Sequence, residues 1–397
     1  MTIRYTSVMR LITTTTELAS TCDLLSKERF FAVDTEFMRE QTFWPQLCLV
    51  QLAGQAAGLE VIVDPLASGI DLGPLLQLMT DSPTVKVFHA ARQDIEIVHM
   101  LAGRVPSPVF DTQVAAMVCG FGESISYVNL VKRVLGKDLD KSSRFTDWSR
   151  RPLSDKQLAY ALGDVTHLRE VYTHLEGKLA STDRTGWLAE EMANLTDPET
   201  YVLRPEDAWK RLKLKVRNRK SLAVLIELAA WRDGLAQSQN VPRNRVLRDE
   251  ALYDIANQAP TDVAGLAGLR TLSDGFARSA RAKEIVDAVK RGLARDMKTV
   301  PPLPGGPQLS ADANALIDLL RVLLKAAAAR HGVAPRLIAD TDELEQLAIE
   351  AEPDVPSLKG WRRELFGEDV LRLKRGELAL VVRDGEVVTL PAPTARG

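Results

Sequence analysis

The amino-acid pattern changes character near residues 197–206, and this change constrains the fold more than any other feature. Before it, short β-rich runs alternate with segments of helical spacing, and the strand candidates include RFFAVDTEF, PQLCLVQLAG, LEVIVDP and TVKVFHA. After it, almost all apolar residues recur at helical spacing. We therefore expect an N-terminal α/β domain, in which helices cover a mixed sheet, followed by all-α modules.

A segment rich in proline and glycine, KTVPPLPGGPQLS, divides the helical part into two modules. Each module has a long helix, then a short segment that contains PR, then an acidic helix start, as in NVPRNRVLRDEAL and GVAPRLIADTDEL. A shared layout of this kind indicates an internal repeat. We predict domains at residues 1–197, 206–296 and 309–390. The tail LVVRDGEVVTL predicts a hairpin around Asp384 and Gly385.

Composition excludes several classes of protein. Hydrophobic residues make up 45% and charged residues 26% of the chain, as in ordinary globular proteins. With no apolar run of membrane-spanning length and no secretory leader, we expect no membrane association. Cys22, Cys48 and Cys119 stand singly, which predicts reduced, buried thiols in a cytoplasmic protein. The net charge of −2 means that nucleic-acid binding would depend on local basic patches.

Two carboxylates stand at the end of an apolar strand candidate. The run FFAV leads directly into Asp34 and Glu36, and strand residues two apart face the same way. Bare carboxylates side by side raise each other's pKa, and a divalent cation with a preference for oxygen ligands relieves that repulsion. The structural alternative is a turn that begins at Asp34, with Glu36 exposed at the strand end.

Three further residues carry similar chemistry. Asp94 follows a strand candidate and lies in an opening helical turn, in FHAARQDI. Tyr160 and Asp164, in YALGDV, are four apart and share a helix face. Taken alone, each of these residues could instead be an ordinary helix residue that packs in the core or faces solvent. Together with DTEF, and in this order, the segments resemble the three exonuclease motifs of the DEDD superfamily, and the tyrosine four residues before the last aspartate matches its DEDDy subgroup.

Within that subgroup the chain is similar to the ribonuclease D family over nearly the whole first domain. The similar segments are FAVDTEFMREQTFWPQLCLVQLA, VFHAARQDIEIV, FDTQVAAMVCGFGESISYVNLV and DWSRRPLSDKQLAYALGDVTHL. The later segment LAAWRDGLAQSQNVPRNRVLRDEALYDIA resembles an HRDC domain, of which ribonuclease D carries two. The resemblance implies an RNase H-like mixed sheet covered by helices, followed by two all-α HRDC-like domains, of which the second is degenerate.

The resemblance also implies an activity. It implies a 3′–5′ exoribonuclease that releases nucleoside 5′-monophosphates, with tRNA precursors and other structured RNAs that have a single-stranded 3′ end as substrates. Two divalent cations, Mg²⁺ or Mn²⁺, would be held by Asp34, Glu36, Asp94 and Asp164, and Tyr160 would orient the attacking water. We expect the protein to act as a monomer.

Several neighbouring residues are candidates for RNA contact. Phe37 and Met38 could wedge against the terminal base, and Gln51 and His89 could contact the substrate. The segment DKSSRFTDWSRRPLS could hold single-stranded RNA by phosphate contacts and stacking, and WKRLKLKVRNRK could contact the backbone; their candidate residues are Arg144, Trp148, Lys213, Lys215 and Arg217. The structural alternatives are core packing, a histidine satisfied by backbone, one buried tryptophan and a solvated charge run.

Two other functions compete with this interpretation. An exodeoxyribonuclease of the same superfamily would carry the same motifs, because discrimination between the sugars depends on contacts to the 2′-hydroxyl. The sequence around the motifs favours RNA. A non-catalytic RNA-binding scaffold would not need the four acids and the tyrosine, all of which are present.

Overall fold

A computed structural model describes residues 10–56, 58–139, 146–277, 279–303 and 309–392. Its contacts divide the chain into two compact units. The first unit takes the described residues up to Glu36, those from Cys48 to Thr200, and those after residue 308. The second takes Phe37–Leu47 and the described residues from Tyr201 to residue 307. The predicted boundaries of three domains stay a prediction.

A mixed sheet lies at the centre of the first unit. Within the described residues it has six strands, which are β1 (Arg10–Ile12), β2 (Phe30–Met38), β3 (Gln46–Gly54), β4 (Glu60–Val63), β5 (Val85–Phe88) and β6 (Val109–Asp111). Their order is β1-β4-β3-β2-β5-β6. Strand β3 is antiparallel to β4, whereas β1 and β4, β2 and β5, and β5 and β6 pair in parallel. The mixed sheet predicted from the sequence is confirmed.

The helices follow in chain order. They are α1 (Thr15–Leu25), α2 (Gly73–Asp81), α3 (Arg92–Ala102), α4 (Thr112–Val118), α5 (Tyr127–Leu135), α6 (Asp155–Thr166), α7 (Leu168–Ser181), α8 (Thr185–Leu195), α9 (Arg219–Ser238), α10 (Arg243–Val246), α11 (Asp249–Gln258), α12 (Val263–Ala267), α13 (Asp274–Ala277), α14 (Ala280–Ala294), α15 (Ala311–His331), α16 (Pro335–Ile338), α17 (Thr341–Ile349), α18 (Gly360–Arg362) and α19 (Glu368–Lys374). Short 3₁₀ segments cover Pro198–Tyr201, Pro205–Arg211 and Pro356–Leu358, and a π-helical turn, Arg363–Gly367, joins α18 to α19. None of the described helices is both long and apolar enough to cross a membrane.

Side-chain caps fix where two helices of the first unit begin. Ser154 caps α6 in a capping box with Gln157, so that two backbone N–H groups at the helix start find acceptors. Asp111 caps α4 and also accepts hydrogen bonds from the backbone N–H groups of Ala90 and Ala91, just before α3. Asp111 therefore holds the starts of α3 and α4 together.

The C-terminal helices share a hydrophobic core with α4, α5, α7 and α8 in the first unit. Trp361 of α18 stacks on Trp187 of α8, with ring centroids 4.4 Å apart and planes 10° apart. Beyond α19, strands β7 (Leu378–Arg383) and β8 (Glu386–Pro391) form the predicted hairpin. Its two turn residues have positive φ, 52° at Asp384 and 83° at Gly385, the conformation that Asp-Gly turns favour.

The second unit is mostly helical, and it also contains the end of β2 and the start of β3. Its core surrounds the long helix α9, against which α11 and α14 pack. Gly292 of α14 lies so close to α9 that a Cβ there would be 2.5 Å from Val224 Cα. Phe43 packs with Ala236 and Val246 in a smaller cluster.

Candidate active site

The polar end of the central strand β2 lies next to helix α6. Phe30 and Ala32 pack into a cluster with Val165 of α6 and with residues of α7. Because side chains alternate along a strand, Asp34 continues the face of Ala32 toward α6, and Glu36 follows it. Asp164 precedes Val165 on α6. One oxygen each of Asp34, Glu36 and Asp164 lies within 4.8 Å of the others, so the three could hold a metal ion.

Electrostatics make this carboxylate cluster unfavourable without a cation. Burial, followed by the charges of its acidic neighbours, raises the pKa of Glu36 to about 9. Burial raises the pKa of Asp164 to about 7, and burial together with the charge of Asp164 raises the pKa of Asp34 well above its usual value. A divalent cation with oxygen ligands would stabilise all three in the ionised form, so this donor set fits a metal centre.

Asp94 is adjacent to this group but outside its tightest part. It is buried in the first turn of α3 and accepts a hydrogen bond of 2.5 Å from the Thr35 hydroxyl. Burial first, and then the charge of Asp34, raise the pKa of Asp94. Its charge in turn raises the pKa of Glu36. The sequence analysis did not identify Thr35, because no local pattern relates its hydroxyl to Asp94, which lies 59 residues later in the chain.

Tyr160 lies one helical turn before Asp164 and donates a hydrogen bond to it, which lowers the pKa of Asp164 against the larger effect of burial. The ring of Trp148 lies 6.1 Å from the ring of Tyr160. Trp148 is 3% exposed, and its indole nitrogen has no hydrogen-bond partner within the described part of the chain. In this structure Trp148 therefore packs beside Tyr160 and does not offer its face to solvent.

Arg151 follows Trp148 in a segment that sequence reasoning treated as a basic RNA-binding loop. Its guanidinium pairs with Asp64, which is 7% exposed, and donates to the backbone oxygens of Cys48 and Trp148. Arg151 therefore fixes this loop to the sheet. The sequence around Arg151 gives no sign of this ion pair, because Asp64 lies 87 residues away in the chain.

The remaining candidates near the acids occupy different environments. Phe37 and Met38 are half-buried at the end of β2. Gln51 is fully buried on β3, and neither atom of its amide has a partner among the described residues. Both ring nitrogens of His89 are engaged, with the Thr112 hydroxyl at 3.0 Å and the Ile125 backbone oxygen at 3.1 Å. Arg144 lies outside the described residues.

Three basic candidates form a row in the second unit. Lys213, Lys215 and Arg217 are exposed and occupy alternate positions of the irregular segment between Arg211 and α9. The alternate residues of the segment pack half-buried against the helical core; these are Leu212, Leu214 and Val216. The three charged side chains therefore lie on the solvent side of this segment, an arrangement suited to a polyanion.

Comparisons with known proteins agree with this geometry. A family model described as 3′-5′ exonuclease matches residues 9–180, and one described as HRDC domain matches residues 221–289. A ribonuclease D of Nitrobacter hamburgensis is 53% identical over 380 residues, which cover 96% of this chain and 99% of the relative. A ribonuclease D of Jannaschia sp. is 50% identical over 378 residues, which cover 95% of this chain and 98% of the relative.

A solved structure is similar over most of its length. The crystal structure of Escherichia coli RNase D, described as an exoribonuclease involved in structured RNA processing, matches with a TM-score of 0.79 and 29% identity. The match covers 92% of this chain and 98% of that chain. The resemblance that the motifs indicated is thereby confirmed, and the chain belongs to the ribonuclease D family of 3′–5′ exoribonucleases.

Proposed function

We propose that Asp34, Glu36, Asp94 and Asp164 form the hydrolytic centre of this exoribonuclease, which holds two divalent cations, Mg²⁺ or Mn²⁺, and releases nucleoside 5′-monophosphates. The observation that carries the proposal is the convergence of three partly buried carboxylates, from a strand and a helix, within 4.8 Å. Such a group is costly unless cations neutralise it. Asp94, held by Thr35, adds a fourth carboxylate at its edge.

Each residue of the proposed centre has a separate role in hydrolysis. The chemistry that bound cations supply is activation of a water molecule and stabilisation of charge on the attacking and leaving oxygens. Asp34, Glu36, Asp94 and Asp164 would hold them, and Thr35 would keep the Asp94 carboxylate oriented. Because the Tyr160 hydroxyl donates its hydrogen bond to Asp164, its oxygen can accept a hydrogen bond from the attacking water. Tyr160 would thus orient that water toward the terminal phosphodiester.

We infer that the substrates are structured RNAs with a single-stranded 3′ end, such as tRNA precursors. The similar Escherichia coli enzyme is described as acting in structured RNA processing. The row formed by Lys213, Lys215 and Arg217 would contact backbone phosphates without reading sequence. We further propose that the enzyme acts as a monomer in the cytoplasm. Cys22, Cys48 and Cys119 are buried as thiols, which supports a reducing compartment.

The test uses RNA and DNA oligonucleotides of one sequence, labelled at the 3′ end, with Mg²⁺, Mn²⁺ or EDTA. We expect labelled 5′-monophosphate to be released from RNA, and EDTA to abolish the release. Asp164→Asn should abolish hydrolysis, whereas Asp155→Asn, an exposed carboxylate on the same helix, should leave it intact. Release in EDTA, or an active Asp164→Asn variant, would refute the metal centre.

A second comparison tests the substrate. A hairpin RNA with an unpaired 3′ tail should be shortened up to its stem, and a blunt hairpin should be trimmed much more slowly. Equal trimming of the two RNAs would contradict the preference for a single-stranded end. Equal digestion of DNA and RNA would favour the exodeoxyribonuclease.

A further inference from the structure

Tyr127 connects the start of α5 to the end of α6, beside the carboxylate cluster. It is the first residue of α5 and is half-buried. Its hydroxyl donates a hydrogen bond of 3.1 Å to the backbone oxygen of Gly163, which lies 36 residues later in the chain. Gly163 immediately precedes Asp164, so this hydrogen bond holds the peptide group that leads into a proposed metal ligand.

The last turn of α6 is a place where an outside donor matters. A helix leaves the backbone oxygens of its last four residues without donors of its own, and Gly163 is one of these four because α6 ends at Thr166. Glycine is also a poor helix former. The turn that carries Asp164 is therefore weakly held by its own backbone, and the Tyr127 hydroxyl ties it to α5.

The ring of Tyr127 is held in place by its neighbours. It packs against the cluster that contains Ala32 of β2 and Val165 of α6. The ring of His89 lies 5.6 Å from it, centre to centre, and both nitrogens of His89 are themselves engaged. Because the ring is confined in this way, its hydroxyl has a defined position, and the hydrogen bond to Gly163 restrains α6.

The Tyr127 hydroxyl also lies within the electrostatic influence of the acids. Burial first, and then the charges of Asp164 and Asp34, raise the pKa of the Tyr127 hydroxyl well above its usual value. The hydroxyl therefore keeps its proton at neutral pH and donates it to the Gly163 oxygen. A group that stays protonated in this way cannot act as a base, which leaves it the role of a hydrogen-bond donor.

We propose that Tyr127 is a positioning residue for hydrolysis. By fixing the peptide group between Gly163 and Asp164, its hydroxyl holds the Asp164 carboxylate near the two acids of β2, as a shared cation requires. Tyr160, which donates to Asp164, is positioned through the same helix. A small displacement of a catalytic group can cost much of the rate. The inference rests on the proposed hydrolytic centre and adds a residue that acts only through Asp164.

Tyr127→Phe tests this role, because it removes the hydroxyl and keeps the ring. The control is Tyr172→Phe, since Tyr172 packs in the same cluster but its hydroxyl donates to Glu176. For each full-length variant, kcat and KM are measured on a short single-stranded RNA at saturating Mn²⁺. The affinity for Mn²⁺ without RNA is measured by electron paramagnetic resonance, and urea unfolding gives the stability.

We expect Tyr127→Phe to lower kcat about ten-fold, to leave KM within about two-fold and to weaken Mn²⁺ binding about three-fold or more. Tyr172→Phe should change each quantity less than about two-fold. A Tyr127→Phe variant with the kcat or the Mn²⁺ affinity of wild type, even if less stable, would overturn the proposal and leave the hydroxyl a structural role alone. Losses of equal size in the two variants would also overturn it, since they would reflect a general loosening of the cluster.

Asp164→Asn separates failure of this proposal from failure of the hydrolytic centre. If Asp164→Asn binds Mn²⁺ as tightly as wild type, Asp164 is not a ligand, and both proposals fall. If Asp164→Asn loses Mn²⁺ binding and hydrolysis while Tyr127→Phe loses neither, the centre stands and only the role of Tyr127 is rejected.

Discussion

Arg151 donates two hydrogen bonds to the Asp64 carboxylate, of 2.7 Å from Nε and 2.6 Å from a terminal nitrogen. Asp64 directly follows β4, and the same guanidinium donates 2.8 Å hydrogen bonds to the backbone oxygens of Cys48 on β3 and of Trp148. One side chain thus ties the segment before α6 to two strands of the sheet. That segment carries Trp148, which packs beside Tyr160.

Removing the acid of this pair should destabilise the first unit. In Asp64→Asn the Arg151 guanidinium keeps its charge but loses its buried, bidentate partner, so we expect a loss of about 2 kcal/mol in the free energy of unfolding. The matched control is Asp81→Asn, whose partner Arg104 is 61% exposed and whose loss should change stability by less than about 1 kcal/mol. Urea unfolding of both variants checks this. Similar losses in the two would show that burial adds nothing to the Arg151 pair.

Tyr160→Phe should slow hydrolysis without weakening RNA binding. The variant keeps the ring next to Trp148 but removes the hydroxyl that bonds to Asp164 and would orient the water. We expect single-turnover rates at saturating RNA to fall about 100-fold or more. Tyr172→Phe is the control, since Tyr172 is buried in the core and its hydroxyl donates to Glu176. A Tyr160→Phe rate close to that of wild type would remove the hydroxyl from the mechanism.

The metal-free protein should become less stable as pH rises. Raised carboxyl pKa values mean that the folded state keeps protons that the unfolded chain has released. The window runs from the unfolded values of about 4 up to the folded values of about 7 for Asp164 and about 9 for Glu36. Stability is therefore full below this window and is lost as pH rises through it. Thermal unfolding in EDTA at about pH 5 and about pH 8 measures the loss, and Mg²⁺ should reverse most of it.

Asp34→Asn should make the metal-free protein more stable and the enzyme inactive. Without metal it removes a carboxyl whose ionisation the folded state disfavours, so at about pH 8 in EDTA we expect the free energy of unfolding to rise by about 1 kcal/mol or more. With Mg²⁺ present the variant should be inactive and should gain little stability from the ion. A variant that is less stable than wild type in EDTA would mean that Asp34 is held by interactions other than those with its acidic neighbours.

Local rules explain which parts of this site could be predicted. Strand alternation placed Asp34 and Glu36 on one face, and helical spacing joined Tyr160 to Asp164. Contacts between distant parts of the chain have no such local signal. Thr35 meets Asp94 across 59 residues and Arg151 meets Asp64 across 87, and only the assembled sheet and loop bring them together. The charge of Arg151 suggested RNA, but its pairing with the buried Asp64 assigns it a structural role.

The stack of Trp187 on Trp361 predicts that the C-terminal helices support the catalytic unit. Trp361 is 6% exposed, and the neighbouring Arg362 pairs with Glu190 at 2.7 Å. We expect Trp361→Ala to lower the free energy of unfolding of the first unit by about 3 kcal/mol or more, and Trp361→Phe to lower it less because a ring remains. Thermal unfolding followed by near-ultraviolet circular dichroism measures both. Equal losses would mean that the stacked ring contributes little.

Two glycines of the second unit should respond to alanine in opposite directions. At Gly292 a Cβ would lie 2.5 Å from Val224 Cα and 2.9 Å from the Ala223 backbone oxygen, so Gly292→Ala must push α14 away from α9. We expect it to cost about 1–3 kcal/mol. Gly234 lies within α9, and a Cβ there would be 4.0 Å from its nearest neighbour, Pro205 Cγ.

Gly234→Ala should therefore stabilise the second unit by up to about 1 kcal/mol, because alanine is the better helix former and meets no obstacle. Urea midpoints of the two variants provide the comparison, and helix propensity alone predicts a gain in both. A stabilised Gly292→Ala variant would show that α9 and α14 can separate without loss, and thus that the close approach of the two helices does not hold this unit together.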